Sequence, residues 1–265
     1  MAGFAVPIQI LTTALVGIRI ASRMTTKGNL GLDDVFIIVA WILGTALTVL
    51  VLLATYKYGF NRHIWDVPPD RWASGALIGF IIEYVFFYST CLTKISVLMF
   101  YRRLVAGTYS NKFKWAMWAA ITFVVVYTIV VSFLVLFTCN PIPAVWKNYD
   151  LQWAQTHKFS CTSRPVQTWV AELTGALSVF SDVYSILLPA ALLMRIRISR
   201  RQRIGLLFVF GVGFLVVGSG IARTIFLGRT QAEVLDKSWA AFEVFVTSIA
   251  ECNVAIMCAC APSLK

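Results

Sequence analysis

Residues 35–56 read VFIIVAWILGTALTVLVLLATY, an apolar run without a single charged side chain. A helix needs about 20 mostly apolar residues to cross the hydrocarbon core of a bilayer, so this stretch is a membrane span. Six further runs of similar character lie on either side, at about residues 2–21, 73–101, 115–137, 169–194, 204–227 and 239–261. They occupy most of residues 1–265, read as one domain, and leave short polar connections. Backbone polar groups in lipid must satisfy one another, and a helix does so within one segment. The expected fold class is therefore all-α, a seven-transmembrane-helix bundle in a multi-pass membrane protein whose first partner is the lipid bilayer.

Composition agrees. The chain is 59% hydrophobic and 13% charged, whereas soluble domains carry about 25% charged residues. A net charge of +11 invites a nucleic-acid reading, but its distribution excludes one. Basic residues collect in alternate connections: Arg19, Arg23 and Lys27, then Arg102, Arg103, Lys112 and Lys114, then Arg195, Arg197, Arg200, Arg201 and Arg203. With Lys265 they number thirteen, against eight in the other connections. Cytoplasmic loops carry the Lys/Arg excess, which places the N-terminus outside and the C-terminus in the cytoplasm. The clusters suit anionic headgroups, and a cytoplasmic partner at the same loops is the sharper alternative. Gln9, Thr12 and Thr13 interrupt the first run and no basic segment precedes it, so it reads as a retained helix rather than a signal sequence. Arg19, near the inner end of that run, is expected to snorkel to the headgroups.

The longest connection, Thr138–Thr168, carries Cys139 and Cys161 at its two ends. On the oxidising side of the membrane these two are expected to form a disulfide. Cys91, Cys252, Cys258 and Cys260 lie within spans and read as small packing residues, with no metal site expected. Gly75 with Gly79, and Gly218 with Ala222, have the four-residue spacing that lets helix backbones approach.

Ionisable residues inside the spans carry the chemistry, because each needs a partner or a cavity. Depth along the helices, at about 1.5 Å per residue, suggests the pairs. Arg223 lies near the outer end of its span, level with Glu243 and Glu172, and either carboxylate is its expected partner. Lys94 lies near an inner end, with Asp182 or Asp34 to neutralise it. Glu83 and Glu251 sit near mid-membrane with no cation at matching depth. An unpaired buried acid favours its neutral form and can then donate a proton, bind a cation or act as a switch. Glu251 is the first choice for a functional intramembrane residue. Retinal proteins tether their cofactor through a lysine in the last helix; here Lys237 precedes that run and Lys265 follows it, so neither retinal nor another cofactor is expected.

Taken in order, several short motifs resemble the fungal rhodopsin-like integral membrane domain. They are Gly31-Leu32-Asp33-Asp34; Tyr58-Gly59 through His63-Ile64-Trp65; Thr93-Lys94-Ile95-Ser96 with Phe100-Tyr101-x-Arg103-Leu104; and Cys139-x-Pro141 with Trp146 and Cys161. Asp182 with Leu188-Pro189, Arg201-Gln202, Arg223, Trp239, Glu251-x-Asn253 and Cys258-x-Cys260 complete the series. Ser178 stands where the resemblance leads one to expect Asn. The chain ends soon after Pro262 and has no external Cys-rich domain, so a signalling role built on a tail or such a domain is not implied. The resemblance does imply a receptor-like or accessory membrane protein, of a kind also found in secondary-metabolite gene clusters, binding a small lipophilic ligand within the bundle. On this reading Arg223, Glu243 and Glu172 shape an outer pocket, and Lys94 and Asp182 form an inner latch with Glu251 between. The alternative is a membrane cyclase or isomerase acting on a lipophilic intermediate, with Glu83 and Glu251 as general acid and base if they face one cavity.

Overall fold

A computed structural model describes residues 1–25, 31–104, 111–193, 200–232 and 236–261. Seven long helices account for the spans: α1 (Ala2–Thr25), α2 (Leu32–Tyr58), α3 (Trp72–Leu104), α4 (Asn111–Leu136), α7 (Arg164–Leu193), α8 (Arg200–Ala232) and α9 (Lys237–Cys260). Each is long and apolar enough to cross a membrane, and most outrun the apolar stretch that announced them. Polar residues at the ends cost a helix little once it reaches the headgroup zone, so hydrogen bonding carries on past the last apolar residue. The helix of α7 continues through Pro189 to Leu193.

Large apolar side chains cover the outer surface: Ile10, Trp115, Phe214 and Leu215 are each more than 60% exposed. So much apolar surface is stable only against lipid tails, and the protein is a multi-pass membrane protein. Inside, α3 packs against α2, α4, α7 and α9, while α8 is held between α7 and α9. α1 lies on α2 and α9, fastened by polar groups. The Gln9 amide donates to Thr45 Oγ1 at 2.9 Å, Thr48 Oγ1 donates to Gln9 Oε1 at 3.0 Å, and the Trp41 indole donates to Thr13 Oγ1 at 3.1 Å. The polar residues that interrupt the first apolar run thus serve as its contact face.

Close helix contact falls at other small residues than the spacing suggested. A Cβ on Gly218 would meet nothing within 4 Å, Gly79 faces only the Phe60 ring, and Gly75 faces Phe60 and the last residue of α2, Tyr58. The tight crossing is α7 on α8, where a Cβ on Gly175 would overlap the side chain of Thr224.

At one face, α2 ends on Gly59 in the left-handed region (φ 75°), a geometry glycine adopts without penalty. The chain then makes two 3-10 turns, Ile64–Asp66 and Pro69–Arg71. At the same face the long connection folds as two-residue strands β1 (Cys139–Asn140) and β2 (Ser160–Cys161), paired antiparallel, around short helices α5 (Ala144–Lys147) and α6 (Leu151–Thr156). Cys139 and Cys161 are opposite one another in this ladder and form the expected disulfide. This end is called the disulfide face below; the opposite end is the basic face. Among the residues expected to crowd the basic face, Lys27, Arg195, Arg197 and Lys265 lie outside the described residues.

Candidate functional site

Midway through the bundle, buried ion pairs cross-link four helices. Lys94 of α3 meets Asp182 of α7 at 3.0 Å, one of its two expected partners. Its ammonium also donates to Ser181 Oγ at 2.6 Å and to the Ser178 carbonyl at 3.3 Å. Ser178 and Ser181 are one turn apart on α7, so they and Asp182 turn a single polar patch towards α3. An ammonium has three protons to place, and this patch supplies acceptors for all of them.

Arg223 of α8 reaches Glu251 of α9, with Nε donating to Oε2 at 2.7 Å, and both residues are almost fully buried. The guanidinium lies over the Phe86 ring, 4.5 Å from its centroid. This corrects the pairing expected from depth. Glu172 and Glu243 are on the exposed side of their helices, and no ion pair joins either to Arg223 among the described residues. Glu251, expected to stand alone, is the partner. The two pairs adjoin at Gly220, where a Cβ would sit 3.5 Å from Asp182 Oδ2 and 3.6 Å from Glu251 Oε2. Asp182 Oδ2, Glu251 Oε1 and Arg223 Nη2 are buried in these pairs without a hydrogen bond, so this layer keeps spare bonding capacity.

Above it, towards the disulfide face, the helices part around a cavity of about 680 Å³, within the usual range for small-molecule sites of about 300–1,000 Å³. Arg223 and Glu83 line its depth, and Phe60, Trp72, Phe80, Phe86 and Phe245 give it aromatic walls. Gly75 and Gly79 leave room where a side chain would fill it. The disulfide, with Asn148 and Tyr149 of the long connection, closes over the top. Trp146 holds this loop to α3, its ring 5.6 Å from that of Phe80. Glu251 is not part of the cavity wall; it sits beneath, bonded to Arg223. Glu83 and Glu251 therefore do not face one space.

Beside the cavity mouth, His63 is stacked between Trp65 at 4.7 Å and Trp239 at 4.8 Å. Its Nδ1 contacts the Asp236 carboxylate, which also accepts from the Ile64 N–H at 3.2 Å. Burial pushes the Asp236 carboxyl upward, but these hydrogen bonds, with one from the Trp239 backbone, hold it below the usual carboxylate value. Ser238 Oγ donates to the Arg62 carbonyl at 3.0 Å. The connection after α2 is thus tied to the start of α9.

The basic face holds a second charged centre. Arg19 is fully buried, 3.0 Å from both Asp33 and Asp34, and donates to the Ala259 carbonyl at 2.6 Å. Arg23 approaches both carboxylates at 4.0 Å, and Arg103 comes within 3.6 Å of Asp33. Arg19 and Arg23 lie over the Phe100 ring. Gly31, just before α2, lies against this cluster, and a Cβ there would push aside the ends of the Asp33 and Arg103 side chains. Arg19 does not snorkel to the surface; it joins α1 to α2 and α9. The doubled acid Asp33-Asp34 at a helix start was the available signal, since two adjacent carboxylates near lipid demand nearby cations.

A family model described as "Fungal rhodopsin domain" matches residues 18–265. No curated protein and no solved structure matches the chain.

Proposed function

The chain belongs to the fungal rhodopsin domain family, and from that premise we propose that it is a receptor-like membrane protein binding a small lipophilic ligand in the cavity beneath the disulfide loop. The observation that carries this reading is the cavity itself, which runs from a loop-covered mouth down to Arg223. A ligand seated there touches α3, α8 and α9 together. Arg223 touches the cavity on one side and holds Glu251 on the other, so a change in its position reaches the Lys94–Asp182 pair through the groups around Gly220. The disulfide face is external, which suits a disulfide, and the basic face is cytoplasmic, where its arginines meet lipid headgroups or a partner. The cyclase or isomerase alternative loses support because Glu251 lies behind Arg223, outside the cavity.

The test is binding to purified protein in lipid nanodiscs. A lipophilic fluorescent probe that binds wild type should lose at least about tenfold in affinity, about 1.4 kcal/mol, when Gly79→Phe fills the cavity. Equal binding by a folded Gly79→Phe variant would refute the reading. Product formation from a lipophilic substrate, abolished by Glu83→Gln, would return weight to the enzyme.

A further inference from the structure

We propose that the cavity's ligand carries a cationic amine, and that Glu83 is the residue that pairs with it. The inference rests on the ligand-binding reading above and adds the chemical class of the ligand.

Charge is the first support. Two cations and three carboxylates lie in or just beneath the cavity floor: Lys94, Arg223, Asp182, Glu251 and Glu83. The Lys94–Asp182 and Arg223–Glu251 pairs neutralise four of them at 3.0 and 2.7 Å. Glu83 is left over. Among the described residues it makes no hydrogen bond and no ion pair, and its side chain lines the cavity. Arg223 is within electrostatic reach of it but is bonded to Glu251. A carboxylate in a weakly polar interior is costly unless a cation accompanies it, and a ligand ammonium supplies that cation.

The walls are the second support. Aromatic faces attract cations, more strongly when water is excluded. Phe86 already does so here, with the Arg223 guanidinium 4.5 Å from its ring centroid. Phe80 is one turn from Glu83 on α3 and lines the same cavity. One carboxylate among aromatic rings recognises an alkylammonium group better than an alcohol, and disfavours an acid.

Arg71 and Lys237 also line the cavity, at its mouth, and would favour an anionic ligand if they set the specificity. Arg71 is exposed and donates to the Lys57 carbonyl, and Lys237 stands at the first residue of α9, at the mouth. Charges in contact with water are screened over about 8 Å at physiological ionic strength. At the cavity's depth Arg223 is already paired with Glu251, and Glu83 is the charged group there with no ion-pair partner among the described residues.

The experiment compares three probes that differ only in head group: 4-phenylbutylamine, 4-phenylbutan-1-ol and 4-phenylbutanoic acid. Each is titrated into the full chain in zwitterionic nanodiscs, with Gly79→Phe as the blocked-cavity reference. Wild type should bind the amine at least about tenfold tighter than the alcohol and bind the acid weakest. Glu83→Gln should bring the amine down to the level of the alcohol measured on the same variant. If the alcohol or acid matches the amine in wild type, or a folded Glu83→Gln keeps the preference, the amine inference fails while the cavity reading stands. If Gly79→Phe alters none of the three, the cavity reading fails and the inference with it. Should Glu83→Gln not fold, the wild-type series alone decides.

Discussion

The two ends of the bundle treat charge in opposite ways. At the basic face Arg19 is buried against two carboxylates and a backbone carbonyl, with Arg23 and Arg103 closing in from outside. Among the described residues the cavity beside Phe100 and Ala259 holds only about 30 Å³. Towards the disulfide face the helices separate, glycines replace side chains, and Glu83 lines the cavity with no ion-pair partner among the described residues. A matched, packed cluster fixes how α1, α2, α3 and α9 are arranged. An unmatched acid in a cavity leaves its last partner to come from outside. On the proposed reading stability resides in the first region and specificity in the second, and the predictions below separate them.

The largest effect belongs to Arg19. Arg19→Ala strands two buried carboxylates, and breaking a buried pair costs about 3–5 kcal/mol. The variant should fail to accumulate as a monodisperse protein in detergent, and recovery on size exclusion measures this. Near-normal recovery would mean that the basic face is not the anchor.

In the middle layer, Asp182→Asn should lower thermal stability by a similar or slightly smaller amount, because Lys94 loses its counter-charge. The double variant Lys94→Met with Asp182→Leu should recover much of that loss, since an apolar pair of similar volume is often neutral or better. If the double variant is as unstable as the single, the pair has a packing role beyond its charge.

Next is the disulfide. Replacing Cys139 and Cys161 with Ser releases a loop of 22-residue separation, worth about 3 kcal/mol in the chain-entropy model. The loss should fall on the cavity's cover, so probe dissociation should quicken more than the bundle's melting temperature drops. An equal effect on both would blur the distinction between the two ends.

The smallest effect is at the His63–Asp236 contact. The Asp236 carboxyl is held below its usual value, so its contribution is present at neutral pH and above the unfolded value of about 4. It fades as pH falls through the lower folded value. Asp236→Asn should cost about 1 kcal/mol at pH 7, and the gap from wild type should close towards pH 3. Melting temperatures of both proteins across that range test it; a gap that widens in acid would show the sign to be wrong.

Hydropathy alone made the seven spans and the all-α class legible, because lipid leaves a chain of this composition few other choices. The Cys139–Cys161 bond was legible from the position of both residues in one connection. Depth matching found Lys94 with Asp182, but it misplaced both buried arginines for a common reason. The apolar run holding Arg223 fades near residue 227, yet α8 continues to Ala232; the run holding Arg19 fades near residue 21, yet α1 continues to Thr25. Each arginine is about a turn deeper than its hydropathy implied, which brings Arg223 to Glu251 and Arg19 to Asp33 and Asp34. Azimuth was the other missing coordinate. Glu243 and Glu251 are eight residues apart, about 80° around a helix of 3.6 residues per turn, so one faces outward while the other faces α8. The cavity was not legible at all, since it arises where Gly75 and Gly79 of one helix meet rings from several others.

The hydrogen bond from Arg19 to the Ala259 carbonyl joins positions 240 residues apart. During synthesis the first hairpin can bring Arg19 to Asp33 and Asp34 within moments of leaving the ribosome. The remaining acceptor arrives only when the seventh span enters the bilayer. Until then the donating N–H group has no acceptor from the last helix, so this contact closes only when the first and seventh spans come together.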